Sequence, residues 1–434
     1  MIQTIIGIII AIFIFGIIVL VHEFGHFIVA KKFGVMVEEF SIGMGSRIFS
    51  KMSKTGTIYS IKVFPLGGSC SMMGEDEENL KEGSFNSIAM WKRMLIVFAG
   101  PFSNFVLAFV LSMIVVGTKG VDLPYVTAID NSTNAYVAGL RQGDRITEYR
   151  NTKISLGRDL YFEEYISPIS GDKISISFIR NEKKYNITFT PDKVEQYQLG
   201  IAYVKSDEKA KVTNVTENSI AESKGIKKND IIYKVADVRI HSGKELEKYF
   251  IEHPLSNREI SVTIERDEKL QTIYLFPQKD VRYVNGFEYN TNRNQQSFSK
   301  IAKCACMETR YGMLSVIKSL KLIITGKVSA DDISGPIGIV NTIGTTYKVS
   351  EKHGISVTLI SLLQLSILLT ANLGIVNLLP IPALDGGRLF IYLIQLVTRR
   401  EVSKEKEGLI HLIGFALLMI LMVFLTFNDI RKMF

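Results

Sequence analysis

Cysteine is scarce in this chain of 434 residues: there are 3, Cys70, Cys304 and Cys306. That number excludes a disulfide-stapled scaffold. Cys304 and Cys306 sit closer together than the usual zinc and redox spacings, so ordinary free thiols are expected. Histidine is also sparse. Of the 6 copies, His241, His253, His353 and His411 show no ligand spacing, which leaves His22 and His26. Charge is missing from long stretches, beginning with the unbroken apolar run over 5–21. No Lys or Arg precedes that run and no small-residue cleavage site follows it, which argues against a typical signal peptide.

What is present divides into blocks. Hydrophobic residues make up 47% of the chain and charged residues 22%, a combination that requires apolar side chains to be gathered together and charge to lie elsewhere. Further apolar blocks run over 94–116, about 355–379 and 408–427. At about 1.5 Å per residue each can cross a hydrocarbon core, so four membrane spans are expected. The net charge of +8 then reflects basic residues collected in cytoplasmic loops rather than a nucleic-acid partner. Basic residues crowd the first loop, from Lys31 to Arg93, and the last, from Arg388 to Lys406. The positive-inside rule places both loops in the cytoplasm and both termini outside. Arg431 and Lys432 count against this orientation but are outnumbered. Residues 118–352 are therefore expected to be extracytoplasmic.

That outer segment repeats itself at an offset of 86 residues: Val126-Thr127 with Val212-Thr213, Gly139-Leu140 with Gly225-Ile226, Asp144 with Asp230, and Ile154 with Ile240. The period is too long for a solenoid unit and suggests two small globular modules. Both copies resemble PDZ domains of the bacterial protease type, on the stretch from Ala135 to Ile146 and its counterpart. In the second copy Asn229 stands where the first has Gly143. Such modules capture an extended chain at a sheet edge or only filter substrates by size. Residues 285–300 are polar and Asn-rich and read as a linker. Met313, Val316, Ile317, Leu320 and Ile324 then recur at helical spacing, predicting an amphipathic helix on the outer membrane face or against the bundle.

Chemistry is concentrated in His22-Glu23-Phe24-Gly25-His26 on the first span. Residues four apart share a helix face, so both imidazoles can reach one ion. Glu23 lies beside them, placed to take a proton from a metal-bound water. Ionisable groups inside a span are costly unless paired or metal-bound, which favours a metal here. Two histidines leave a catalytic zinc short of a third ligand. Asp385 is the best candidate, because spans one and three both run inward and reach His22 and Asp385 near their cytoplasmic ends. Pro380 and Pro382 prevent a regular helix there, and broken backbone at membrane depth is tolerated where it lines a polar cavity.

Together these residues resemble the site-2 protease family, peptidase M50-type intramembrane zinc metalloproteases, and its RseP-like branch with tandem PDZ domains. The motifs that carry the likeness are H-E-F-G-H, Gly100-Pro101-Phe102-Ser103-Asn104, Ser334-Gly335-Pro336-Ile337-Gly338, and the run from Asn377 to Gly387. The resemblance implies that His22, His26 and Asp385 bind Zn2+, that Glu23 is the general base, and that Asn377, and more weakly Asn104, contact substrate. It also implies a membrane-associated β-hairpin over 40–73, whose Gly67 and Gly68 lie along the substrate. Ser69-Cys70 follows these glycines where family members commonly carry an aromatic residue.

The expected fold class is a multi-pass α-helical membrane protein with four transmembrane helices and two extracytoplasmic α+β PDZ-like domains. Its spans are 1–30, 94–117, 355–387 and 408–428, and its cytoplasmic loops are 31–93 and 388–407. The PDZ-like modules are 118–206 and 207–280, followed by a linker and amphipathic helix over 281–354. The implied function is zinc-dependent cleavage of single-span proteins within the bacterial cell membrane, with pre-trimmed anti-sigma factors or signal-peptide remnants as substrates and lipid as the surrounding partner. The competing reading is a PDZ scaffold or chaperone with a structural zinc site, which requires a fourth protein ligand.

Overall fold

Apolar runs without internal charge become helices because backbone facing lipid must satisfy its own hydrogen bonds. The computed structural model describes residues 2–75, 81–328, 333–400 and 402–433. It opens with helix α1 (Ile2–Lys32), a hairpin of strands β1 (Val37–Met52) and β2 (Ile58–Met72), and helix α2 (Met90–Lys119). The first module begins with β3 (Val126–Ile129), α3 (Asn134–Val137), β4 (Arg145–Tyr149), β5 (Thr152–Lys153) and α4 (Gly157–Ile166). It continues through β6 (Ile174–Arg180), β7 (Lys183–Phe189) and β8 (Asp192–Gln198). The second holds β9 (Ile201–Tyr203), β10 (Val212–Val215), α5 (Ile220–Ser223), β11 (Ile231–Val235) and β12 (Val238–Arg239). After it come α6 (Gly243–Glu252), β13 (Ile260–Arg266), β14 (Lys269–Leu275), β15 (Gln278–Val284) and β16 (Phe287–Tyr289). Five helices close the chain: α7 (Phe298–Ile324), α8 (Pro336–Glu351), α9 (Ile355–Asn377), α10 (Asp385–Thr398) and α11 (Lys404–Met433).

Among the described residues, α1, α2, α9 and α11 are long and apolar enough to cross a membrane. The third apolar block is not one helix to residue 387. It stops at Asn377, turns through the two prolines with Ala383 at φ +75°, and restarts at Asp385. Helix α7 packs on α2 and α9, which selects the bundle-packed alternative for the amphipathic stripe. Its buried Glu308 is paired with Arg158 at 3.2 Å and Arg293 at 2.9 Å. Near the end of α11, the buried Asp429 accepts the backbone N–H groups of Gly335 (2.9 Å) and Gly338 (2.7 Å). These are donors that the start of α8 leaves without intrahelical partners, and a carboxylate there also meets the helix dipole favourably.

Residues 124–154 and 163–290, which hold the modules apart from most of α4, form a unit of their own. Each module has a four-stranded sheet, β5-β4-β6-β7 in the first and β12-β11-β13-β14 in the second. The repeated aspartates do the same work in both. Asp144 accepts the backbone N–H of Arg141 and pairs with Arg180 at 2.6 Å; Asp230 accepts that of Lys227 and pairs with Arg266 at 2.7 Å. Gly143 and Asn229 both have positive φ, +88° and +78°, so the substitution keeps the left-handed turn, which Asn tolerates. The second module's core includes Val212, Ile232, Leu246, Val262 and Ile264.

Strand pairing corrects the expected boundaries. β9, expected within the first module, pairs with β10 of the second. β16, expected in a linker, pairs with β3 of the first. β8 and β15 run antiparallel as the way in and out. The second module is thus inserted into the first rather than following it. Asn285, counted as linker, is buried, accepts from the Tyr149 hydroxyl at 3.0 Å and donates to Glu164. A polar residue satisfied inside the fold looks the same in sequence as a solvated one.

Candidate active site

Helix α1 presents His22 and His26 on one face, both buried. Their Nε2 atoms lie 3.2 Å apart. Asp385, the first residue of α10, brings Oδ2 to 3.0 Å from His22 Nε2 and 3.6 Å from His26 Nε2. Gly386 and Gly387 let that helix start so close to the preceding turn: a Cβ on Gly386 would lie 2.2 Å from the Leu379 carbonyl oxygen. The chain therefore brings together the three residues that the sequence singled out, close enough to hold one metal ion.

The donor set fits a zinc ion. Bonds of about 2.0–2.1 Å at tetrahedral angles put ligand atoms about 3.3 Å apart, and the three separations bracket that value. Asp385 Oδ2 is buried and, among the described residues, has no hydrogen-bond partner. His26 Nδ1 meets the Ile96 carbonyl oxygen at 2.8 Å; it donates there, so Nε2 turns a bare lone pair to the site. Beside the two rings lies Gly100 of α2, where a Cβ would stand 2.2 Å from His26 Nε2 and 2.8 Å from His22 Nε2. Any side chain at 100 would collide with both ring nitrogens. Among the described residues, His22, His26 and Asp385 form the only cluster of this kind. A zinc ion held by these three residues would keep a coordination position open, unlike a closed structural site.

The other expected residues are placed as follows. Glu23 follows His22 on α1 and is partly exposed; the Cys70 backbone donates a hydrogen bond to it. Gly68 sits against it, since a Cβ there would be 3.6 Å from Glu23 Cγ, and Gly67 lies against Val19 with φ +79°. Strand β2 thus packs on α1 beside the general-base candidate. Burial pushes the Cys70 thiol up to about 12, which keeps it protonated at neutral pH. Asn377, the last residue of α9, is part-buried with Nδ2 3.4 Å from His22 Nε2. Asn104 is wholly buried and faces the far nitrogen of His22, Nδ1, at 3.1 Å.

Sequence reasoning set His411 aside, yet its Nδ1 accepts the backbone N–H of Ala383 at 3.0 Å, two residues before Asp385. Its partner is a main-chain atom on a distant turn, so no spacing could signal it. His411 also lines a cavity of about 420 Å³ with Ala383, Asp385, Arg388 and Phe415.

Two imidazoles and an aspartate converging beside Glu23, among helices long and apolar enough to cross a membrane, match what a membrane metalloprotease requires. A sequence profile of Peptidase family M50 matches residues 10–421, and the chain belongs to that family. It is 30% identical to the zinc metalloprotease RasP of Geobacillus kaustophilus over 100% of both chains. It is 27% identical to the regulator of sigma-W protease RasP of Bacillus subtilis and 29% to the regulator of sigma-E protease RseP of Salmonella typhimurium, covering 92% of each chain in both comparisons. The chain is thus a zinc metalloprotease, and its cofactor is Zn2+.

Proposed function

We propose that this protein cuts single-span proteins inside the membrane, with zinc held by His22, His26 and Asp385 and with Glu23 moving the proton. The convergence of three ligand atoms, 3.0 to 3.6 Å apart, carries this reading. Zinc, when bound, lowers the pKa of a water and polarises the scissile carbonyl. Glu23 takes that water's proton at its carboxylate and delivers it to the leaving nitrogen. The Asn377 amide, beside His22, can donate to the oxygen on which charge develops. Gly67 and Gly68 keep the β2 backbone close to Glu23, where a substrate straightened from its helix can pair as a strand. That opening is required, because a helical peptide bond is shielded by its own turn.

Relatives named for sigma-W and sigma-E regulation support pre-trimmed anti-sigma factors as the substrate class, with signal-peptide remnants as the alternative. The setting is the bacterial cell membrane. The basic loops face the cytoplasm, and both termini and the PDZ-like modules lie outside. Exposed Ile48, Phe49, Met52 and Phe64 on the hairpin suit contact with lipid. Changing Glu23 to Gln should lower cleavage of a single-span test substrate in vesicles by about 10²–10⁴-fold while one zinc per chain is retained. Undiminished cleavage by that variant refutes the assignment of Glu23.

A further inference from the structure

The two modules are built on one plan, and the first carries features that the plan does not need. In each, a buried aspartate directly before β4 or β11 is paired with an arginine: Asp144 with Arg180 at 2.6 Å, Asp230 with Arg266 at 2.7 Å. Around its pair the first module has a cavity of about 580 Å³, with Tyr125, Arg141, Gln142, Arg145, Arg180 and Asn181 in its walls. Asp144 is the only carboxylate in that lining, and Arg180 neutralises it. Arg141 donates Nη1 to the carbonyl oxygens of Tyr136 and Leu140 and stacks 3.7 Å over the Tyr136 ring. Arg145 is half-buried, while its neighbour Ile146 enters the core. Among the described residues the Arg145 guanidinium has no hydrogen-bond or ion-pair partner.

An arginine drawn out of water without a partner is disfavoured, and the fold does not require one here. At the repeat offset the second module has Ile231 in place of Arg145, Glu265 in place of Ile179 and Asp267 in place of Asn181. Its Lys211 and Lys228 stand for Tyr125 and Gln142, so both signs mix there, and Glu265 pairs with Lys209 at 3.2 Å. The first module instead gathers three guanidinium groups around one carboxylate, an excess of two positive charges, beside neutral hydroxyl and amide groups. We infer that this cavity binds a phosphate group, held by Arg141 and Arg145, with Tyr125 and Asn181 as neutral donors. Guanidinium forks match phosphate oxygens two at a time. A phosphate monoester carries about −1.5 to −2 charges at neutral pH, close to the excess, whereas a carboxylate would leave one positive charge unmatched. The volume exceeds that of one phosphate group and leaves room for the alcohol it esterifies, either a small soluble molecule or a lipid headgroup. This site is independent of the zinc chemistry.

The test is calorimetric titration of full-length protein in detergent with inorganic phosphate, in chloride buffer at fixed ionic strength. One saturable site per chain is expected. Arg145→Ile and Asn181→Asp each install the second module's own residue and should weaken it at least about tenfold. Lys227→Ala, at the second module's counterpart of Arg141, removes a charge outside the cavity and should leave binding unchanged. No saturable binding in wild type, or an equal loss in all three variants, overturns the site. Displacement of phosphate by an equal concentration of acetate overturns the choice of phosphate. Should R145I fail to fold, Arg145→Lys keeps the charge and loses the fork, so it should bind more weakly; wild-type affinity there overturns the role of Arg145. Two further probes separate the sources. Tighter binding of glycerol 3-phosphate than of inorganic phosphate supports a soluble ester. Loss of phosphate binding after reconstitution into vesicles containing phosphatidate supports a lipid headgroup.

Discussion

The proposed metal site is assembled from two halves of different construction. One is helical and rigid: His22 and His26 on α1 are backed by α2, with a main-chain carbonyl fixing one ring and a glycine leaving room for both rings. The other is a turn between α9 and α10, broken by Pro380 and Pro382 and carrying Ala383 at φ +75°. A non-glycine residue in that region costs about 1–2 kcal/mol, and the turn is held from outside by His411 of α11. In the proposed site the rigid half would decide where an ion can sit, and the strained half how well Asp385 reaches it.

The largest effect should come from closing the space in the rigid half. In Gly100→Ala the new Cβ would fall 2.2 and 2.8 Å from the two ligand nitrogens, with no flexible side-chain end to yield. Zinc content should collapse and cleavage fall more than about 10²-fold, since small displacements of a reacting geometry cost that much. Gly408→Ala serves as the matched control, because a Cβ there meets nothing within 4 Å. Normal zinc content in the Gly100 variant would mean that the ion is not held by these two ring nitrogens as they stand.

The two halves were unequally legible in the sequence. The i, i+4 spacing of His22 and His26 is local, and a single helix places both rings. Asp385 could be tied to them because the charge pattern predicts two spans running the same way, with cytoplasmic ends at one depth. Nothing comparable pointed to His411. Its hydrogen bond reaches the main chain of a turn 28 residues away, and backbone partners leave no residue type to notice. Asn104 was visible in its motif, but a motif does not say which atom a side chain faces. The nesting of the modules was hidden for a related reason. β3 and β16 are short strands far apart in the chain, and pairing at that distance has no periodicity to betray it. By contrast Asp144 and Asp230 already stood at the repeat offset, and Arg180 and Arg266 share it.

Releasing the strained half should cost less than filling the rigid one. In His411→Ala the Ala383 N–H loses its acceptor and the turn relaxes away from the left-handed region. Cleavage should drop about tenfold, corresponding to about 1.4 kcal/mol in the barrier, with zinc affinity lowered only a few-fold because both histidines remain in place. His411→Gln, which keeps an acceptor on a side chain of similar reach, should recover part of the rate. Full activity in the alanine variant would show that the turn holds its shape without α11.

The smallest effect is the most discriminating, because its sign depends on strain. Glycine accepts φ +75° without the Cβ penalty that alanine bears, so Ala383→Gly relieves the turn while loosening it in the unfolded chain. The two contributions oppose each other, and thermal stability should change by no more than about 1 kcal/mol, with activity close to wild type. The informative comparison is the double variant. With His411 already replaced by alanine, glycine at 383 removes the reason for the turn to relax and should restore part of the lost cleavage. If cleavage falls further instead, His411 is not opposing backbone strain. It would then act by limiting the turn's motion, and the strained half would be better described as a loose one.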